Sequence, residues 1–144
     1  MKKTIITLAL IVVSLSVVKA DDRPVTFNQL PAAAQNFIKS TYPNEKVSFA
    51  TVDDDIIMPD YQVVLANGVK VQFEHNGKLE KIESRNGGIP AGIIPVQIIE
   101  AVKSYFPDAE ILGYEIGRRT YEVKLSNRME LKFNRNFVVI ELDD

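Results

Sequence analysis

The chain has 144 residues, with 17 Lys and Arg against 19 Asp and Glu, one His and no Cys. That balance argues against non-specific nucleic-acid binding, which needs clustered positive charge. The lack of Cys leaves a fold held by packing rather than by disulfides.

The first twenty residues read as an address. Met1-Lys2-Lys3 opens the chain, an apolar run spans Ile5 to Val13, and Val18-Lys19-Ala20 closes the segment. A basic start, an apolar stretch and a small residue at the end predict a secretory signal peptide over residues 1–20, cut between Ala20 and Asp21. The uncharged run from Thr4 to Val18 is 15 residues, short of the roughly 20 that a membrane-spanning helix needs. Cleavage removes Lys2, Lys3 and Lys19, leaving 14 basic against 19 acidic residues, a balance of −5. No later apolar run approaches spanning length, so the mature chain is expected in the periplasm or medium, with no membrane partner.

Residues 21–144 are expected to form one domain with a single modest core. Leu30, Ala34, Phe37, Ile38 and Thr41 share one helical face. Pro31 suits the first turn of that helix and Pro43 ends it. A strand is expected near 47–52. Tyr61, Val63 and Leu65 then alternate with polar neighbours, as do Val69, Val71 and Phe73. Asn67-Gly68 between these runs predicts a two-residue hairpin turn. Asn76-Gly77 predicts the next turn, into a strand near 79–83. Residues 84–92, with Gly87-Gly88 and Pro90-Ala91-Gly92, read as a linker. A second helix carries Ile98, Ala101, Val102, Tyr105 and Phe106 between Pro95 and Pro107. Strands follow through Tyr121, Val123 and Leu125, then Met129, Leu131 and Phe133, and last 138–142.

The second series repeats the first. Leu30-Pro31 matches Ile94-Pro95, and Tyr42-Pro43 matches Phe106-Pro107, at an offset of 64. Tyr61 to Asn67 matches Tyr121 to Asn127, and Asn76 matches Asn136, at an offset of 60. Four extra residues therefore lie between Thr51 and Asp60. The expected fold is α+β: two tandem repeats of a helix plus a four-stranded antiparallel sheet. Repeat 1 covers about 27–83 and repeat 2 about 93–142. A helix and four strands bury too little surface to stand alone. The repeats are therefore expected to share one continuous curved sheet, with helices on one face and a wet polar face opposite.

The order helix, Tyr-Pro or Phe-Pro, strand, Tyr-x-Val-x-Leu, Asn turn, x-Val/Leu-x-Phe, Asn turn, occurs twice behind a signal peptide. In this the chain resembles the PepSY-like family of exported bacterial proteins, often labelled β-lactamase-inhibitor-like. The resemblance covers nearly all of 27–142. It implies tandem repeats in a curved antiparallel sheet, as in the β-lactamase inhibitory protein, and no established reaction. No functional residue is carried over from it.

The residues hold no constellation for catalysis. His75 lies at the Asn76-Gly77 turn without an HxH or HExxH partner pattern. No Ser or Thr sits in a GxSxG elbow. Asp53-Asp54-Asp55 and Asp60 offer oxygen ligands, but consecutive acids diverge, unlike the alternate acids of an EF-hand. A non-enzyme without metal or cofactor is expected. The contact candidates are elsewhere. Ile56, Ile57 and Met58 form an apolar tip in an acidic loop, and Arg118 and Arg119 stand at the equivalent place in repeat 2. Packing of Ile56 or Ile57 inward is the competing expectation. Gln62, Lys70, Gln72, Glu74, Glu122, Lys124, Glu130 and Lys132 are expected on the outward sheet face, where mixed charge suits a protein or peptide partner. Capture of an extended peptide at a strand edge is a further mode. Inhibition or regulation of an exported hydrolase, and a structural role in the cell envelope, are the alternatives. Phe137 stands where repeat 1 has Gly77 and is expected to cover a neighbouring strand.

Overall fold

The computed structural model describes residues 22–53 and 57–144. The signal segment therefore lies outside the described residues. Nine strands and two helices follow in order: β1 (Asp22–Val25), α1 (Ala32–Thr41), β2 (Val47–Asp53), β3 (Tyr61–Leu65), β4 (Lys70–Phe73), β5 (Leu79–Glu83), α2 (Val96–Tyr105), β6 (Ile111–Ile116), β7 (Thr120–Leu125), β8 (Glu130–Asn134) and β9 (Val139–Asp143). Every strand pairs antiparallel with the next, so one sheet runs from β1 to β9 in chain order.

The register explains the two faces. Val63, Val71 and Ile82 stand opposite one another on β3–β5, and the row continues through Tyr114, Val123 and Leu131 on β6–β8. All six are buried. The side-chain period of two puts the intervening residues on the opposite face. There Gln62, Gln72 and Lys81 line up with Glu115, Glu122 and Lys132. The apolar alternation seen in the sequence is thus one apolar sheet surface.

Both helices cover that surface. Ala34 and Ile38 of α1, and Ile98 and Val102 of α2, belong to the same buried cluster as the apolar row. Phe37 reaches down edge-on to Phe73, with ring centroids 5.6 Å apart. Tyr105 departs from the predicted stripe and is exposed. It is the last residue of α2, where the chain is already turning into Phe106-Pro107, and Phe106 packs on the core instead. Pro31 and Pro95 stand just ahead of their helices, in extended conformation.

Three further departures have physical causes. The first is β1, which the alternation pattern does not announce. Asp22-Arg23-Pro24-Val25 carries no period-two signal, and only pairing with β2 makes it a strand. The second is the turn chemistry. Gly68 has φ +90°, while Asn67 is not in the left-handed region. Leu65 N donates to Val69 O, Gly68 N to Leu65 O, and Val69 N to Asn67 Oδ1. The loop therefore has three residues, Ala66-Asn67-Gly68, ending in a left-handed residue, rather than two. The same pattern recurs at Gly77, Arg128 and Phe137. The third is the linker, which is tied down. Ser84 is buried, its N donates to Leu112 O and its Oγ to Gly87 O.

Candidate functional site

The outward face is a field of paired charges. Lys81 Nζ lies 3.0 Å from Glu83 and 3.6 Å from Glu115, Lys124 Nζ lies 3.9 Å from Glu130, and Lys132 Nζ lies 3.2 Å from Glu141. Such exposed pairs contribute little stability individually, but they set what the face attracts. Burial pushes the Glu83 carboxyl up, yet the hydrogen bond and charge of Lys81, with Lys124 and Lys70, hold it below its ordinary value. Glu122 goes the other way: burial raises it, and so do Glu130, by hydrogen bond and charge, and Glu115.

One indentation of this face centres on Gly113. Gly113 sits opposite Lys124 on β7 and Glu83 on β5. Having no side chain, it leaves a cleft of about 340 Å³. Glu83, Lys124 and Glu130 form its charged wall, Arg85 and Arg128 its basic mouth near the β7–β8 turn, and Leu112 and Met129 add apolar surface. At the matched position of the first half stands Phe49, which is exposed. Sequence reasoning placed Lys124 and Glu130 on this face and missed Gly113. A glycine against an aromatic at matched positions was the available signal.

The structure separates the loop candidates from this cleft. A sequential antiparallel sheet puts the β2–β3, β4–β5, β6–β7 and β8–β9 connections at one end and the β3–β4 and β7–β8 turns at the other. Ile57 is fully exposed and Met58 is 60% exposed, so inward packing of Ile57 is not what the fold adopts. Ile56 lies outside the described residues. Arg118 and Arg119 form the β6–β7 turn, closed by Gly117 N donating to Thr120 O. They share an end with Ile57 but stand four strands away, roughly 19 Å at about 4.8 Å per strand. Arg135 locks that turn by donating to the carbonyls of Gly117 and Arg118, and its guanidinium lies 4.7 Å from the Tyr121 ring centroid. Phe137 stacks on the other side of the story told by Gly77: its ring lies 5.3 Å from Tyr121, which lies 6.3 Å from Tyr114.

Near the β4–β5 turn the acids crowd. Burial, then Asp53 and Glu74, raise Asp60, with His75 opposing. Burial, then Asp60, Glu74 and Glu115, raise Glu80, with Lys81 opposing. Gln72 faces Lys81, and Glu74 follows β4 into this acidic corner.

The chain matches the family described as "Putative beta-lactamase-inhibitor-like, PepSY-like" over residues 16–56 and 59–141. It belongs to the PepSY-like family. Among solved structures this PepSY-like chain is similar to a "putative calcium-regulated periplasmic protein" of Bacteroides thetaiotaomicron: 40% identity, 86% of this chain and 98% of that one, TM-score 0.81. It is also similar to two "putative periplasmic" proteins of Bacteroides vulgatus. One is 37% identical over 88% of this chain and all of that one, with TM-score 0.82. The other is 27% identical over 85% and 99%, with TM-score 0.80. No curated protein matches. The PepSY-like protein is exported, to the periplasm or beyond, in keeping with these relatives. No helix among the described residues is long and apolar enough to cross a membrane.

Calcium regulation belongs to the first relative's description. In the PepSY-like chain, Asp53 and Glu74 raise Asp60, and Asp60 and Glu74 raise Glu80, but no group of three or more His, Asp or Glu converges to hold an ion among the described residues. Asp54 and Asp55 lie outside them.

Proposed function

We propose that the protein is a non-enzymatic extracytoplasmic binding module for a protein or peptide, with the outward sheet face as its contact surface. The observation that carries this reading is the cleft at Gly113. It combines both signs of charge with apolar surface, as recognition of a peptide requires. Polar faces of open sheets are ordinarily flat and solvated, whereas this one is indented where one side chain is missing. The repeated architecture supports the same reading: both helices back one face of the sheet, and no helix among the described residues covers the other. Tandem duplication accounts for that scaffold, and the identical pairing registers of β4–β5 and β8–β9 support it.

The test uses a photo-crosslinking residue at Lys124, with Lys103 on the helix side as control, in cells that export the protein. A cross-linked partner is expected from position 124 and not from 103. Gly113→Ala should weaken it while leaving the unfolding midpoint near that of the parent, because the atoms nearest an added Cβ belong to the Lys124 side chain, at 3.4–3.8 Å. Equal labelling from both positions would sink the reading.

A second reading, inhibition or regulation of an exported hydrolase, rests on the family description. It predicts dose-dependent loss of activity in a panel of proteases and β-lactamases. A blank panel removes it and leaves the first reading standing.

A further inference from the structure

The last strand of the sheet repeats the fifth but, among the described residues, has no second neighbour. On β5, Leu79, Lys81, Ile82 and Glu83 oppose Phe73, Gln72, Val71 and Lys70. On β9, Val139, Glu141, Leu142 and Asp143 oppose Phe133, Lys132, Leu131 and Glu130. Every position is offset by 60, and both strands carry the same bulge. The far edge of β5 is taken by β6, with Glu115, Tyr114 and Gly113 opposite Lys81, Ile82 and Glu83. The far edge of β9 is taken by no strand among the described residues. Burial records the difference: Ile82 is 0% exposed and Leu142 is 46% exposed. Val138, at the end of the β8–β9 turn, and Ile140, at the bulge, are also exposed, at 55% and 54%.

Open edges are usually blunted by proline, lysine or distortion. The opposite edge of the sheet follows that rule. β1 is four residues long and contains Arg23 and Pro24, and a proline has no N–H to offer a new strand. β9 has no proline or lysine. Its bulge does not bar a neighbour, since β5 carries the same bulge and accepts β6.

The chemistry of the missing neighbour follows from the row it would join. Across β5 and β6, Lys81 meets Glu115. At β9 the sign is reversed, because Glu141 stands where β5 has Lys81, and Asp143 stands two residues on. Glu122, Glu130, Glu141 and Asp143 surround a single Lys132. Glu122 and Glu130 are diagonal neighbours across β7 and β8. On the apolar side, Leu142 lies where Ile82 is capped by Tyr114.

We propose that β9 is a strand-addition site for an extended basic segment of a partner protein, with a large apolar residue opposite Leu142 flanked by Lys or Arg opposite Glu141 and Asp143. This rests on the binding-module reading above and specifies its edge and its partner chemistry. The backbone of β9 supplies the hydrogen-bond ladder and the alternate side chains supply selectivity. A second copy of this chain fits poorly, because β9 against β9 sets acids facing acids.

The probe is a blocked peptide, Thr-Val-Lys-Tyr-Lys-Val-Thr. Its controls are the same peptide with Glu for Lys and one N-methylated at alternate backbone amides. Titration into isotope-labelled protein is followed by amide chemical shifts and by fluorescence anisotropy. The lysine peptide should shift the amides of Val139–Asp143 and bind at least about tenfold more tightly than the glutamate peptide. N-methylation should remove binding, and the exposed change Asp143→Lys should weaken it by about fivefold or more. Absence of saturable binding overturns the proposal, as does equal affinity for both charge versions. A concentration-dependent dimer mapped to β9 overturns it by naming another occupant. Shifts confined to Gly113 and Lys124 overturn the edge site while leaving the face reading intact.

Discussion

At the residue scale, one turn position shows how backbone and packing trade. Gly68, Gly77, Arg128 and Phe137 all hold positive φ at the end of three-residue hairpin loops. Only glycine does so without steric cost, which for other residues is about 1–2 kcal/mol. At Gly68 an added Cβ meets nothing within 4 Å, so Gly68→Ala should cost about 1 kcal/mol from backbone strain alone. At Gly77 the same Cβ would lie 2.9 Å from the Ala34 nitrogen and from Pro31 Cβ. Gly77→Ala should therefore cost about 2–4 kcal/mol, strain plus overpacking against α1. Urea unfolding of the two variants separates these contributions. Phe137 offsets its own strain by stacking on Tyr121, an aromatic contact of about 0.5–1.5 kcal/mol. Ile57 tests the loop: it is fully exposed, so Ile57→Asp should leave the unfolding midpoint unchanged within about 0.5 kcal/mol. A large loss of stability in that variant would mean the tip packs on the fold.

At the element scale, position in the sheet outweighs local pattern. Ile82 and Leu142 occupy the same register against Val71 and Leu131. One is covered by β6 and the other is open. Ile82→Ala should cost about 2–5 kcal/mol, as for a filled core site, whereas Leu142→Ala should cost well under half as much. Equal costs in chemical denaturation would show that β9 is covered in solution. The helices, hairpins and seven of the strands were legible in the sequence because alternation and the 3.6-residue period are both local; β6 was implied only by the repeat. β1 was not, since a strand made of Asp, Arg, Pro and Val exists only through its pairing with β2. The turn type was misread for a related reason. Asn-Gly is compatible with two loop lengths, and the register of the flanking strands chooses between them.

At the scale of the whole molecule, the outward face makes stability depend on pH. Asp60, Glu80 and Glu122 are each raised by burial first and by neighbouring acids second. An acid raised in the folded state holds its proton longer than the unfolded chain does. Its contribution is full below the unfolded pKa and is lost as pH rises through the folded one. Glu83 is lowered against its burial by Lys81, so its contribution is present above the unfolded pKa and lost as pH falls through the folded one. The melting temperature should therefore rise as pH is lowered from neutral toward the ordinary carboxylate range, and fall again in stronger acid. Glu80→Gln should flatten the rise by removing one raised carboxyl. A melting temperature that falls steadily from neutral pH downward would show that the paired carboxylates dominate instead.

The sequence by itself determined the two faces of the sheet, the two helices that cover one of them, the repeated order of elements and the outward placement of Gln72, Lys124 and Lys132. These follow from periodicity, which needs only neighbours along the chain. The tertiary structure alone decided three things. It opened a cleft at Gly113, because the missing side chain matters only between Glu83 and Lys124 on adjacent strands. It turned Ile57 and Met58 outward and kept them apart from Arg118 and Arg119. It gave β9 no second neighbour among the described residues, although its residues repeat those of a strand that has one. Strand count and edge position are properties of the assembled sheet, and no local spacing of residues records them.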